Sequence, residues 1–270
     1  MSKALLQKLI PQLQKMRWPQ NAALTELGRK TYDACLDKVD MYRDDPKVLA
    51  EALRILQTGD SMPYAYAGVA YTLVAASQDK DGSYIEEGLE AAMEWLEMAQ
   101  ESAPDEVDIN MIEALVYIHS GRLEDARLVL NYLHDRDPND YYVHVAEIIF
   151  WQMQDDVEQA THWYEKASLS AREVPQRLRL LTHMGEFYAK EKDYNKALQM
   201  FKEALHFNKE KPELWHSISV IHWQLEDYDE AGRANKQALR YGDLPAAQKM
   251  AEALKEKQGG SGFLARFRRG

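Results

Sequence analysis

The chain has 270 residues, with 44 Asp and Glu against 33 Lys and Arg and a formal net charge of −11. That balance repels phosphate backbones and excludes nucleic-acid binding driven by overall charge. Hydrophobic residues make up 46% and charged residues 29%, enough for a buried core, while 13 Gly and 9 Pro are too few for a turn-rich β-sandwich and favour long helices.

A first helix is expected from about Ser2 to Met16, with a break or kink at Pro11. Lys3, Lys8 and Lys15 interrupt its leucines, so it reads neither as a signal peptide nor as a membrane span. No window of the chain approaches eighteen consecutive apolar residues, and no stable membrane insertion is expected. Helices over about Asn21 to Met41 and Pro46 to Gln57 follow, the last stopped by Gly59. Residues 1–60 are thus expected to be an N-terminal helical segment without repeat phase that packs on what comes next. The single cysteine, Cys35, cannot form an internal disulfide; a cytoplasmic location is expected.

Beyond residue 60 a period governs the sequence. Ala92, Ala126, Ala160, Ala197 and Ala231 follow one another at steps of 34, 34, 37 and 34 residues. Leu89, Leu123, Val157, Tyr194 and Tyr228 keep the same steps, and so do Leu96, Leu130, Tyr164, Phe201 and Asn235. Tyr117, Trp151, Tyr188 and His222 keep the last three. Several series in phase mark a repeat protein whose units are helical hairpins, each with more apolar face than it can bury alone. Small residues such as Ala126 and Gly185 sit where helices approach closely, and large ones such as Tyr117, Trp151 and Phe201 fill the gaps.

Leu181-x-x-Met184-Gly185-x-x-Tyr188 followed by Ala197-x-x-x-Phe201 resembles the tetratricopeptide repeat (TPR). Gly121 to Ala126 and Asp193 to Ala197 resemble that family's turn between its two helices, and Asp137-Pro138-Asn139 its link to the next unit. The resemblance implies an all-α, right-handed superhelical solenoid of TPR hairpins, with units over 107–140, 141–177, 178–211 and 212–244. A divergent unit is expected over 61–105. It holds twelve extra residues, which extend its helices or project a loop tipped by Asp79-Lys80-Asp81-Gly82-Ser83. Three extra residues near Pro175 are expected to open the link between the second and third good units. A capping helix is expected over 245–257. A flexible linker, Gln258 to Gly262, and a basic-aromatic tail then complete 258–270.

The family's ligand positions lie on the first helix of each hairpin. Read onto this chain they nominate Tyr66, Val69 and Leu73; Met111, Ile112, Leu115 and His119; and Val145, Ile149, Gln152 and Met153. Further along they nominate Arg179, His183, Glu186 and Lys190, then His216 and Trp223. The early sets are more apolar than a solvated groove, which points to an amphipathic helix or apolar peptide as occupant, or to coverage by the N-terminal helices. Met111, Leu115 and Ala146 stand where chaperone-binding members carry carboxylate-holding residues, so that activity is not expected.

Residues 61–177 hold 23 acidic and 7 basic groups, against 8 and 10 in 1–60 and 13 and 16 in 178–270. An acidic middle either steers a basic partner or is a solvated face. The tail residues Phe263, Leu264, Arg266, Phe267, Arg268 and Arg269 read as a short linear motif (a helix docking in a partner, a touch on anionic lipid too short to anchor, or a plug for the acidic repeat surface) or as a loose end. A calcium loop at Asp79–Ser83 fails, because its first and bidentate positions fall on Ser77 and Gly88. The eight histidines show no ligand spacing, and no phosphate loop, nucleophile elbow or paired-carboxylate signature occurs. No cofactor, metal or enzymatic activity is expected. The expected function is a protein–protein adaptor that grips a partner segment in the concave groove. The competing readings are a self-assembling scaffold, whose tail or N-terminal helix fills a neighbour's groove, and a regulatory subunit of an enzyme complex.

Overall fold

The computed structural model describes residues 3–42, 46–79 and 82–267. Among them lie fourteen α-helices, joined by short turns and one isolated antiparallel bridge, Gln78 to Tyr84. The chain divides into two compact units, Met1–Pro175 and Gln176–Gly270.

The first unit contains α1 (Lys3–Leu13), α2 (Glu26–Tyr42), α3 (Pro46–Gln57), α4 (Met62–Ser77) and α5 (Glu86–Gln100). Two hairpins follow: α6 (Val107–His119) with α7 (Leu123–Arg136), and α8 (Tyr141–Gln152) with α9 (Val157–Ser170). The extra length of the divergent unit goes both ways. Helices α4 and α5 have 16 and 15 residues against 13 in α6, and the loop between them closes with Asp79 N–H donating to the Ser83 carbonyl at 2.8 Å. Lys80 and Asp81 of that loop lie outside the described residues.

The turn between paired helices is solved the same way in the four hairpins from residue 107 onward. Arg122, Asp156, Asp193 and Asp227 donate their N–H back to the carbonyls of Tyr117, Trp151, Tyr188 and His222 at 2.9–3.0 Å. That six-residue closure needs a left-handed residue, found at Gly121, Asp155, Lys192 and Glu226 with φ of 74°, 56°, 62° and 60°. Only the first is a glycine. The others accept the left-handed strain because an aspartate directly after them, at 156, 193 or 227, caps the next helix through its carboxylate.

Helices α2 and α3 correct the expectation that residues 1–60 stand outside the repeat. Gly28 lies against Ser61, and the Cys35 thiol lies 4.0 Å from the Gly68 carbonyl, so α2 runs parallel to α4 at a steady offset of 33 residues. That offset is close to one repeat period, and α2–α3 therefore stack on α4–α5 as a further hairpin layer. Leu56 of α3 presses on Gly68 of α4. Because α4 is apolar all round, it must be covered on every side, and the extra layer supplies the missing side. Helix α1 lies apart from this layer: Leu6 packs on Gly88 and Lys3 pairs with Glu87 at 3.2 Å, while beyond the helix Trp18 meets the Trp95 ring edge-on at 5.8 Å.

The buried Cys35 thiol gives a check on this layer. Burial pushes it up to about 12, against a hydrogen bond with Thr72 that lowers it, so almost no thiolate exists at neutral pH. Cys35 should therefore resist a thiol reagent such as dithionitrobenzoate in the native chain and react fully once denaturant is added. Immediate native labelling would mean that α2 does not sit on α4.

The second unit holds α10 (Val174–Lys190), whose first turn spans the division, then α11 (Tyr194–Phe207), α12 (Pro212–Gln224), α13 (Tyr228–Tyr241) and α14 (Pro245–Phe267). The extra residues near Pro175 are helical. They lengthen α10 at its start, because proline is tolerated in a first turn where its missing N–H has no partner to lose. Gly185 of α10 abuts the Phe201 ring of α11. Ser219 Oγ donates to the Ala231 carbonyl at 2.8 Å, and Asn235 Nδ2 to the Ala247 carbonyl at 2.8 Å, tying α12 to α13 and α13 to α14. The α14 backbone stays helical to Phe267, across the stretch expected to be a linker.

Candidate interaction surface

In the first unit the nominated apolar side chains are core. Val69 and Leu73 of α4, Met111, Ile112 and Leu115 of α6, and Val145 of α8 are all buried. Tyr66 is half-buried with its ring edge-on to Trp95 at 5.1 Å, and His119 stacks on Tyr84 at 3.8 Å. Ile149 and Gln152 are half-buried, and Met153 alone of these sets is open, at 49% exposure. The expected greasy channel is therefore closed along α4 and α6. The second unit differs: Arg179, His183, His216 and Trp223 are half-buried, while Glu186 and Lys190 are exposed. Trp223 meets Tyr228 edge-on at 5.1 Å, and the Lys257 ammonium lies 5.9 Å from the Trp223 ring.

The tail residues Phe263, Leu264, Arg266 and Phe267 lie on the α14 backbone with side chains outside the description, and Arg268 and Arg269 lie outside the described residues.

Two charged clusters in the first unit had no counterpart in the repeat pattern. At α7–α9, Glu147 is fully buried and accepts both nitrogens of the Arg127 fork at 2.6 and 2.9 Å, with His134 Nε2 at 3.0 Å. Arg127 lies 4.0 Å over the Phe150 ring, and His134 stacks on Trp163 at 4.8 Å. Nearby a cavity of about 620 Å³ is lined by residues of the Asp137–Asp140 link with His144, Lys166 and Leu169; burial lowers the His144 imidazole. The one sequence signal for this cluster is a glutamate inside the apolar run Val145-Ala146-Glu147-Ile148-Ile149, since a charge in such a run survives only when paired.

The second cluster joins α2 to α6. Arg29 Nε holds Asp33 at 3.0 Å, and its Nη1 reaches Asp108 and, at 3.5 Å, Glu106. Tyr32 donates its hydroxyl to the Asp108 carbonyl at 2.9 Å, and Tyr64 donates to Glu106 at 3.1 Å. Burial raises Asp108 to about 7, opposed by Arg29; burial works against the Arg29 charge in turn, but Asp108 and its neighbours hold it protonated. No group of three or more His, Cys, Asp or Glu is placed to hold a metal among the described residues.

Residues 86–259 match the family described as Psidin, N-terminal TPR repeats region. No curated protein matches the chain in sequence. Among solved structures, PilF of Pseudomonas aeruginosa is similar with a TM-score of 0.55 at 15% identity, over 77% of this chain and 91% of that one. A chain of the Cut9–Hcn1 hetero-tetramer of the APC/C is similar with a TM-score of 0.57 at 15% identity, over 84% of this chain and 46% of that one. At such identities the likeness is one of fold. No helix among the described residues is long and apolar enough to cross a membrane.

Proposed function

The chain belongs to the tetratricopeptide-repeat family, in the group described by the N-terminal repeats of Psidin, and from that premise we propose a non-catalytic adaptor that holds a helical or extended partner segment on α10 and α12. The family's fold is a protein–protein interaction module, and such modules use the first helices of their hairpins to line a binding face. One observation carries the choice of face. The nominated side chains of α10 and α12 are all half-buried or exposed, whereas most of those of α4 and α6 are spent on the core and those of α8 and its end are mixed. The recognition chemistry follows from the residue types there: the charged Lys190 and Glu186 are exposed, and His183, His216 and Trp223 are half-buried rings, the last an aromatic anchor. An amphipathic segment with charges flanking one apolar side chain matches this mix better than a purely apolar peptide does. A cytoplasmic setting for such an adaptor is compatible with a lone cysteine, which cannot form an internal disulfide.

The test is crosslinking capture from the native lysate with the double variant Lys190→Glu, Trp223→Ala. Loss of a central aromatic anchor and reversal of one charge should cut capture by more than roughly tenfold, with unchanged far-ultraviolet circular dichroism. The exposed substitution Leu128→Glu on α7, at 69% exposure, should leave capture unaltered. Undiminished capture by the folded double variant would remove this face from consideration.

A further inference from the structure

Four carboxylates of the first unit act on one another near the starts of α2, α6 and α8: Asp33, Glu106, Asp108 and Asp140. Arg29 is the cation they share, holding Asp33 at 3.0 Å and Glu106 at 3.5 Å and pairing with one oxygen of Asp108. Asp140 spends an oxygen on the Val143 N–H at 2.9 Å as the cap of α8. The other oxygen of Asp108, Oδ1, has no hydrogen-bond partner among the described residues, although the residue is only 5% exposed. Buried acceptors are almost always satisfied, and an unsatisfied anionic one is the more costly kind. The missing element is a donor, and a cation supplies it best, because four carboxylates share Arg29. Arg29 also demonstrates that a guanidinium fits beside Asp108.

The chain carries the complementary chemistry at its other end. Phe263-Leu264-Ala265-Arg266-Phe267-Arg268-Arg269 has three arginines and no acid, whereas residues 1–175 hold 31 acidic and 16 basic groups. We infer that the Asp108 cluster is a docking site for the arginine-bearing tail of a second copy, so that the chain associates head to tail. Such an interface is heterologous: each copy offers a cluster to one neighbour and a tail to another. The inference uses none of the residues on α10 and α12, so it stands or falls separately from the partner face above.

Acid should weaken the contact. The charged groups acting on Asp108 are Arg29 and Asp33 on α2, Glu106 ahead of α6 and Asp140 ahead of α8; around them, Tyr32 bonds the Asp108 carbonyl, Tyr64 of α4 bonds Glu106, and Tyr142 of α8 acts on Tyr32. With its carboxyl at about 7, Asp108 is mostly ionised at pH 8 and mostly protonated at pH 6. A docking cation favours the ionised form, so the association constant should fall by about tenfold across that interval.

Sedimentation velocity of the full chain at low salt tests the inference. The weight-average mass should rise above the 31.2 kDa monomer as concentration increases, and salt should reverse the rise. The triple variant Arg266→Gln, Arg268→Gln, Arg269→Gln and the variant Asp108→Asn should both stay monomeric. A synthetic peptide of residues 263–270 should dissolve the wild-type assembly, and the same peptide with glutamines for arginines should not. If Asp108→Asn loses its helical circular dichroism, the tail variant and the peptide competition still decide. A wild-type chain that stays monomeric at every concentration overturns the inference. So does association that survives the tail variant or a folded Asp108→Asn.

Discussion

Leu115→Glu is expected to abolish the cooperative melting of residues 1–175 at neutral pH. Leu115 lies at 3% exposure on α6, a helix whose Ile112 and Ile118 are also buried. Removing the leucine side chain alone forfeits about 2–5 kcal/mol of packing and transfer free energy. A glutamate there adds the desolvation of an unpaired carboxylate, of the order of several kcal/mol. Together these approach the whole stability of an ordinary domain, about 5–15 kcal/mol. Thermal circular dichroism checks this, with Leu128→Glu on the exposed face of α7 as the control, expected to stay within about 0.5 kcal/mol of the parent. A Leu115→Glu chain that melts like the parent would mean that Leu115 lines an open channel, and the apolar groove read from the repeat pattern would return.

Glu147→Ala is expected to be nearly as damaging, at about 3–5 kcal/mol, because it strands Arg127 without its bidentate partner beside Phe150 and Trp151. The pH dependence identifies the cause. Burial pushes the Glu147 carboxyl up, but the hydrogen bonds of His134 and Arg127 and their charges outweigh it and hold the group below its ordinary 4.5. A depressed carboxylate contributes stability that is fully present above its unfolded value and is lost as pH falls through the folded one. The gap between wild type and Glu147→Ala in urea midpoint should therefore be widest near neutrality and shrink in acid below about 4.5. A gap independent of pH would assign the loss to packing rather than to the ion pair.

Most of the helical framework was legible. The starts of α6, α8 and α12 at Val107, Tyr141 and Pro212 coincide with the unit starts read from alanine and aromatic spacing. The turns follow because each requires one left-handed residue, supplied by Gly121 or by a residue just ahead of a capping aspartate, at a fixed offset from those alanines. The start of α10 was misjudged by four residues, since a proline near a unit boundary reads equally as a link or as a first turn, and only the neighbouring backbone decides.

The candidate surface was far less legible. An apolar residue at a ligand-facing position looks the same in sequence whether solvent, a partner or another helix of the chain covers it. Residues 1–60 carry no recognisable repeat letters, yet α2 lies along α4 at nearly one period and reaches Asp108 through Arg29 and Tyr32. Sequence by itself determined the hairpin, its period and its turns, because these depend on contacts within some forty residues and on backbone geometry that repeats. Tertiary structure alone decided which apolar faces remain uncovered and which carboxylates lack a donor. Those outcomes depend on side chains brought together from distant parts of the chain, whose spacing follows no period.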